Sequence, residues 1–223
     1  LFTARARTCL FDLELRPGDH LVFGKESVGL PPDILADPGA SNKLRIAVST
    51  TGAFPGAVHP DCAKALHEAA RLCASLGHQV EEATPKLNGL EILQAQGVVI
   101  NANVAFNIDE AAAALGREVR ASDVEHCTWF RVERARATDS PTYAKAMNTL
   151  HAVGRTMAAF MDDYDVILQP TTAQPALPLG VLNMERTDVD AVFRDMMGFI
   201  PFTGLYNISG QPSMSMPLHW TEA

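Results

Sequence analysis

Few side chains in this sequence are placed to attack a carbonyl group, and none has a recognisable base beside it. Ser209 precedes Gly210, but no histidine or lysine follows at a catalytic spacing. The G-x-S-x-G and S-x-x-K patterns of serine hydrolases do not occur, nor does a glycine-rich phosphate loop. We therefore expect Ser209 to be a hydrogen-bonding residue at the end of a helix.

Cys127 is the second candidate nucleophile, because it lies beside His126 and two residues before Trp129. Adjacent residues of a helix point in different directions, so His126 is not positioned to activate this thiol. A free cysteine is also among the most frequently buried residue types. Cys127 is therefore interpreted as a buried core thiol.

Metal-ligating patterns are equally scarce. The seven histidines form no H-x-x-x-H pair, and the four cysteines form no C-x-x-C pair. Asp162, Asp163 and Asp165 could serve acid catalysis or bind calcium, but the spacing and the glycine of an EF-hand are missing. They are more simply the solvated end of a helix. We expect no metal ion and no cofactor.

The composition excludes several partners. Hydrophobic residues make up 47% of the 223 residues, charged residues make up 20%, and the formal net charge is −8. Without a cluster of basic residues, nucleic acid and anionic membranes are not expected partners. No apolar run approaches the length of a membrane span, and the N-terminus does not resemble a signal peptide. The cysteines are interpreted as reduced thiols of a cytoplasmic protein.

The first clear elements form a β-α-β unit. Leu44–Ser49 and Gln79–Ala83 alternate in strand fashion, and a helix over Pro60–Leu76 separates them. The two strands should be parallel. One face of the helix is apolar and should be buried, and it consists of Cys62, Leu66, Ala69, Leu72, Cys73 and Leu76.

Further helices are predicted downstream. Leu90–Leu115 is apolar nearly all round, which predicts a helix buried inside the domain, although Gly97 could interrupt it. Ser122–Glu125 fits a capping box, and a helix should follow to about Arg136. Ser140 is the predicted N-cap of another helix, with Pro141 at its first position and its end at Asp162.

The remaining elements close the predicted architecture. Tyr164–Leu168 is a short buried strand, and Thr187 caps a short helix. Within Pro201–Pro217, a helix should stop at the left-handed Gly210 and lead into an extended strand from Pro212. Such a junction is either a packing corner or a place where α/β folds gather ligands. Alternating strands and helices predict an α/β fold with a mixed sheet flanked by helices.

The ordered series of segments resembles the C-terminal half of the amidase signature family of serine amide hydrolases. The resemblance begins at Leu44-Arg-Ile-Ala-Val48 and includes Ser75-Leu-Gly-His-Gln-Val-Glu-Glu82. It continues through Tyr164-Asp-Val-Ile-Leu-Gln-Pro-Thr171 and Pro201-Phe-Thr203 to Asn207-Ile-Ser-Gly-Gln-Pro-Ser213. Within the family it is most similar to bacterial amidases, including those that open cyclic or linear amides of aminohexanoate.

The resemblance implies an amidase signature fold that is incomplete at both ends. Residues 1–43 are expected to be an irregular start and connection, and residues 44–223 a partial amidase α/β domain. It also implies a mechanism in which a serine attacks the amide carbonyl and a second serine relays its proton to a lysine. Those three groups belong to the N-terminal half of the family pattern, so no catalytic residue is assigned in this chain.

Four residues of this chain are expected to line the acyl-binding cleft, because the resemblance places their segments towards it: Cys127, Trp129, Phe202 and Asn207. Each could equally be a packing residue of the core. Asn207 is the strongest candidate, because a buried amide group needs polar partners and the end of a helix offers a carbonyl or a ligand to bind. The expected partner is a small-molecule amide, and association with further copies of the chain stays open.

Two functions therefore remain open at this point. The chain is either a fragment of an amidase whose catalytic half lies elsewhere, or a non-catalytic α/β binding module that has diverged from an amidase.

Overall fold

The computed structural model describes residues 43–54 and 56–220. The irregular segment expected over residues 1–43 therefore lies, apart from Lys43, outside the described residues. Three strands are present among the described residues: β1 (Arg45–Val48), β2 (Gln79–Glu82) and β3 (Val166–Leu168). Six α-helices are described: α1 (Pro60–Ser75), α2 (Gly89–Leu115), α3 (His126–Arg136), α4 (Ser140–Phe160), α5 (Val189–Phe199) and α6 (Thr203–Ser209).

The strands form a sheet in the order β2-β1-β3. Both pairings are parallel, with Ile46 opposite Val80 in β2 and opposite Val166 in β3. The expected parallel β-α-β unit is confirmed, and so is the α/β class with helices flanking the sheet. The described part of the sheet is parallel rather than mixed. β3 is more exposed than the buried strand expected from its sequence, because Val166 faces solvent.

α1 covers one face of the sheet. Leu66 packs against Ile46 and Val48, and Ala69 is also buried. The rest of the predicted apolar face is less covered than expected, since Leu72 and Leu76 are about half exposed. Its two cysteines are only partly buried as well.

α2 covers the other side together with later helices. It packs against both α3 and α4. Its buried residues are Ile92, Ala95 and Ala105, and the first two pack against buried residues of α4. Gly97 does not interrupt the helix. The prediction of burial all round is wrong, and the exposed apolar side chains are Leu90, Ile100, Phe106 and Leu115.

The predicted helix starts differ from the observed ones by a few residues. Ala121–Asp123 forms a short 3-10 turn, and α3 begins only at His126. The predicted capping box is therefore wrong: the Asp123 carboxylate accepts the Arg120 backbone N–H at 2.9 Å instead. α4 is capped by Asp139, one residue before the predicted Ser140.

The last two helices lead to the candidate site. Asp188, rather than the predicted Thr187, caps α5 by accepting the Ala191 N–H at 3.1 Å. α6 ends at Gly210 with φ of 71°, as predicted. Residues 211–220 follow without regular secondary structure, so the strand expected from Pro212 is not formed among the described residues.

Candidate functional site

Three irregular segments meet at the carboxyl ends of β1 and β3. The Ser49 N–H donates to the Leu168 carbonyl at 3.1 Å, which extends the pairing of the two strands. The loop after β1 is bonded to the α5–α6 junction by Phe54 N–H to the Pro201 carbonyl at 3.4 Å. The carboxyl ends of parallel strands are where α/β folds place their ligands. This edge of the sheet is therefore the candidate site.

The segment after β3 completes the junction. The Ala173 carbonyl accepts the His59 N–H at 2.7 Å, and the Ala173 N–H donates to the Phe199 carbonyl at 2.9 Å. Ala173 is fully buried between these partners. The three segments are thus held by backbone hydrogen bonds, which do not depend on the identity of flexible side chains.

Two glycines allow the segments to approach closely. A Cβ atom at Gly52 would lie 2.8 Å from the Pro201 carbonyl oxygen, and one at Gly204 would lie 2.7 Å from the Phe54 ring. Phe54 is buried in the largest core cluster, beside Leu205 of α6. The absence of a side chain at both glycines lets the loop after β1 lie directly against the start of α6.

A polar chain runs through the junction. The Gln169 side chain donates from Nε2 to the Thr51 carbonyl at 3.1 Å. Its other atom, Oε1, accepts a hydrogen bond from the Tyr206 hydroxyl. Burial raises the pKa of Tyr206 to about 12, so the phenol is neutral near pH 7 and acts as a donor. The pair can orient a polar ligand, and its members are unsuited to act as a base.

A second polar recess lies where β1 and β2 end. It has a volume of about 340 Å³ and is lined by residues that include His67 and Glu82. Ser49 is buried there, and its hydroxyl lies 2.7 Å from the Thr84 hydroxyl. A hydroxyl partner does not abstract a proton, so Ser49 is a structural hydrogen-bonding residue in this arrangement.

A further groove lies elsewhere, between the start of α2 and α4. Its volume is about 630 Å³, and Ile92 and Val153 form part of its lining. Lys86 and Lys145 also line it. The groove is open and lies away from the strand ends, so it does not contribute to the candidate site.

Phe202 and Asn207 lie at the α5–α6 junction. Phe202 is 1% exposed. Its ring is therefore enclosed by the protein in the described chain. Asn207 is exposed, so the premise that its amide is buried is wrong. Both remain predicted substrate-lining residues.

Cys127 and Trp129 lie on α3, in a different cluster. Cys127 is fully buried against Val189 and Val192 of α5, and its thiol donates to the Arg186 carbonyl at 3.7 Å. Burial raises the pKa of this thiol, which disfavours the nucleophilic thiolate. The indole N–H of Trp129 donates to Glu133 of the same helix at 3.0 Å.

The structure separates the four predicted residues into two pairs. Cys127 packs against the first turn of α5. Phe202 lies three residues after the last residue of that helix. α5 has 11 residues, which corresponds to a length of about 16 Å. A small ligand could not contact both pairs at once, and only an elongated one would reach from one to the other.

Gln169 and Tyr206 were not predicted from the sequence as site residues. The Tyr206 ring packs against the core, and only its hydroxyl enters the polar chain, so its apolar character conceals this role in the sequence. Gln169 directly follows a strand and precedes a proline, which is the position of a side chain at the carboxyl edge of a sheet. Its position directly after a predicted strand was the sequence feature from which a site role for Gln169 could have been predicted.

Metal-binding clusters and membrane-spanning helices are absent from the described residues. Within residues 43–54 and 56–220, no three His, Cys, Asp or Glu side chains cluster in a way that could hold a metal ion. None of the described helices is long and apolar enough to cross a membrane.

Comparison with known proteins places this architecture among amide hydrolases. A family model described as amidase matches residues 30–223. The 6-aminohexanoate-cyclic-dimer hydrolase of Paenarthrobacter ureafaciens is 29% identical over 213 residues, covering 91% of this chain and 42% of that protein. A solved structure of a 6-aminohexanoate cyclic dimer hydrolase superimposes with a TM-score of 0.68 at 25% identity, over 89% of this chain and 42% of that chain.

A bacterial aryl acylamidase of the amidase signature family shares the fold, with a TM-score of 0.57 at 18% identity over 76% of this chain and 36% of that chain. The chain thus spans less than half the length of the relatives that it matches.

Proposed function

Because the chain belongs to the amidase family, we propose that it forms the C-terminal part of an enzyme that hydrolyses carboxylic amide bonds. The family model, which extends over residues 30–223, is the observation that carries the proposal. In this proposal the nucleophilic serine, the relay serine and the lysine come from polypeptide outside these 223 residues. The chain itself supplies one wall of the substrate cleft.

The proposed chemistry proceeds in two stages. The serine hydroxyl adds to the amide carbonyl while its proton passes through the second serine to the lysine, and the amine then leaves with a proton. Water hydrolyses the resulting ester and releases the carboxylic acid. Backbone N–H groups stabilise the oxyanion, so the reaction requires no metal ion or cofactor.

The contribution of this chain is proposed to come from the junction at the carboxyl ends of β1 and β3. Its backbone hydrogen bonds fix Phe199 and Pro201 against the neighbouring loops, and the Gln169–Tyr206 pair presents an ordered polar group in the same junction. Phe202 stays a proposed lining residue, although its ring is 1% exposed in the described chain. Asn207 lies on the exposed side of the same helix. Cys127 and Trp129 would then contact only the distal end of a long substrate.

The substrate class is a small-molecule amide. One relative is named for the cyclic dimer of 6-aminohexanoate, so we propose that cyclic or linear amides of this type should be tested first. A cytoplasmic location is proposed from the cysteines, because Cys62, Cys73 and Cys127 are all free thiols in the described chain.

The proposal is tested by supplying the missing part. The portion of the Paenarthrobacter ureafaciens hydrolase that this chain does not cover would be fused to residues 1–223. We expect the fusion to release amine from the cyclic dimer or from another member of a small amide panel. The same fusion with the relative's nucleophilic serine changed to alanine is the control. A folded fusion that leaves the entire panel intact would contradict the proposal.

A non-catalytic binding module is the second candidate. The described partners of the Ser49 hydroxyl are Thr84 and the Thr51 backbone. Ser209 and Cys127 contact Gln211 and the Arg186 carbonyl, and none of these partners is a general base. Binding of an amide by the 223-residue chain without any gain of hydrolysis in the fusion would favour this alternative.

A further inference from the structure

One arginine of α3 is partly buried and has only neutral partners. The Arg131 guanidinium donates from Nη1 to Asn101 Oδ1 on α2 at 3.1 Å, and it lies 4.1 Å from the centre of the Phe193 ring on α5. In the part of the chain that the structure describes, no ion pair involves Arg131. A guanidinium that is partly removed from water is normally compensated by an anion.

A shortage of carboxylates does not explain this. The sequence has 26 acidic residues against 18 lysines and arginines. Several other arginines of the described chain do contact a carboxylate, namely Arg45, Arg117, Arg136 and Arg186. Burial lowers the pKa of Arg131, and among the described residues only the Cys127 thiol acts to raise it. The cation of Arg131 is therefore left uncompensated by the described chain.

The groups that remain free around Arg131 are hydrogen-bond donors. A guanidinium can only donate, so the amide of Asn101 must direct its oxygen towards it. The Nδ2 group of Asn101 and the Nε and Nη2 groups of Arg131 then keep their N–H bonds, and no described residue accepts from them. Such a set of donors suits a carboxylate, which a guanidinium can bind through two parallel hydrogen bonds.

The position of Arg131 along α5 relates it to the predicted cleft. Arg131 follows Cys127 by four residues, so their side chains are neighbours on α3. Phe193 lies six residues before the last residue of α5, which corresponds to about 9 Å along the helix axis. A chain of roughly six single bonds, as in an aminohexanoate unit, has a comparable extended length. Along α5, the guanidinium thus lies between Cys127 and the junction that contains Phe202.

We propose that Arg131, together with Asn101, binds a carboxylate at the far end of the substrate. The inference rests on the proposed function and narrows its substrate class to linear amides that end in a carboxylate. The Phe193 ring holds the guanidinium in place, and the carboxylate supplies the counterion that the described chain lacks. A cyclic amide has no carboxylate and gains nothing from this contact. Arg131 therefore determines specificity and takes no part in the chemical steps.

Selectivity between two matched substrates tests the site. The fusion with the uncovered part of the Paenarthrobacter ureafaciens hydrolase would be given the linear dimer of 6-aminohexanoate and an analogue with a hydroxymethyl group in place of the carboxylate. We expect kcat/KM to be higher for the carboxylate by about tenfold or more. Most of the difference should lie in KM, because the contact is the same in the bound substrate and in the transition state.

Variants of α3 identify the residue responsible. Arg131→Gln should raise KM for the linear dimer by about tenfold and leave KM for the neutral analogue unchanged. Arg131→Lys keeps the charge without the planar fork, so it should retain part of the preference. Arg134→Gln is the matched control, since Arg134 is exposed on the same helix and stacks on Phe130 at 5.1 Å. It should leave the preference intact.

A binding measurement separates this inference from the proposed function. The fusion whose nucleophilic serine is changed to alanine should bind the linear dimer in a calorimeter, and Arg131→Gln should raise Kd by about tenfold. Such binding without hydrolysis by the intact fusion would support the carboxylate site and count against the function. Hydrolysis without any preference for the carboxylate would overturn the site and leave the function intact.

Two further results would overturn the site. Equal losses of kcat/KM for both substrates in Arg131→Gln would show that Arg131 only supports the packing of α3 against α5. A lower melting temperature of the Arg131→Gln fusion with unchanged selectivity would show that the partner is a carboxylate of the polypeptide outside this chain.

Discussion

At the scale of single residues, Gly52 is required by a close backbone contact. A Cβ atom there would lie 2.8 Å from the Pro201 carbonyl oxygen, and a backbone atom cannot move aside as a side chain can. We predict that Gly52→Ala lowers the free energy of unfolding by about 1–3 kcal/mol, measured by urea denaturation. Gly97→Ala is the control, because nothing lies within 4 Å of its Cβ position in α2. It should stabilise the chain by about 1 kcal/mol through helix propensity. Losses of similar size at both positions would be evidence against the close contact.

Tyr206 should make stability fall in strongly alkaline solution. Burial raises its pKa to about 12 from a usual value of 10. Between these pH values the folded chain holds a proton that the unfolded chain has lost. The stabilisation of the folded chain by the raised pKa of Tyr206 is therefore complete below pH 10 and is lost as the pH rises towards 12.

The corresponding variant is Tyr206→Phe. It should be less stable than the parent chain near pH 8 by about 1 kcal/mol, because the hydrogen bond to Gln169 is lost. Above pH 10 the parent chain should lose up to about 2 kcal/mol, so this difference should shrink and then change sign, as judged from melting curves at a series of pH values. A constant difference from pH 8 to pH 12 would show that Tyr206 titrates normally.

Prediction from sequence was least successful for individual site residues. The exposed position of Asn207 could not be anticipated, because the short α6 has apolar residues on most sides. The full burial of Cys127 is consistent with its interpretation as a core thiol. The partnership of Gln169 with Tyr206 joins residues from different elements, and a single sequence contains no signal for such a contact.

At the scale of elements, β1 and β3 are joined by an ion pair in addition to backbone bonds. The Arg45 guanidinium lies 2.9 Å from Asp165 Oδ1, and the Arg45 N–H donates to Asp165 Oδ2 at 2.8 Å. These hydrogen bonds hold the pKa of Asp165 below its usual range. The stabilisation is therefore present above a pH of about 4 and lost as pH falls through the lower pKa of the folded chain.

We predict that Asp165→Asn lowers the melting temperature at pH 7. The deficit relative to the parent chain should diminish below pH 4, where the parent carboxylate itself becomes protonated. Asp163→Asn is the matched control, since Asp163 is exposed and lies two residues away. It removes the same charge without removing hydrogen bonds to Arg45. A deficit that persists unchanged in acid would rule out the ionic contribution.

Sequence patterns located most of the elements, and their errors have physical causes. All three strands and the long helices α1, α2 and α4 were predicted within a few residues. The N-caps of α4 and α5 were each displaced by one residue, because Asp139 and Asp188 neighbour a serine or threonine that caps equally well. The strand expected from Pro212 requires a partner strand, and residue periodicity does not specify whether one is present.

At the scale of the whole molecule, apolar surface is left uncovered on several elements. α2 exposes Leu90 and Phe106, and β2 and β3 each pair on only one side among the described strands. The sequence correctly marked α2 as apolar all round, but it could not indicate that the described chain covers only one side of the helix. Exposed apolar surface and unpaired strand edges favour association.

We therefore predict that the 223-residue chain is marginally stable when expressed alone. It should bind a hydrophobic dye, sediment as a mixture of species and unfold over a broad temperature range. Phe106→Ser should reduce this association with little effect on unfolding, since Phe106 is exposed. Ile92→Ala, by contrast, should cost about 2–5 kcal/mol because Ile92 is buried. A monodisperse monomer with a sharp melt would contradict the prediction.

The pairing of β1 with β3 also constrains when the sheet can form during synthesis. Arg45 and its partner Asp165 are 120 residues apart in the chain. The ribosome releases the chain from its N-terminus onwards, so β1 can pair with β2 early. Pairing of β1 with β3 must wait until α2, α3 and α4 have been synthesised, because all three precede β3 in the chain. During that interval the edge of β1 that will receive β3 is open to other nascent chains. Chaperone binding at this stage, rather than after release, would protect the protein most effectively.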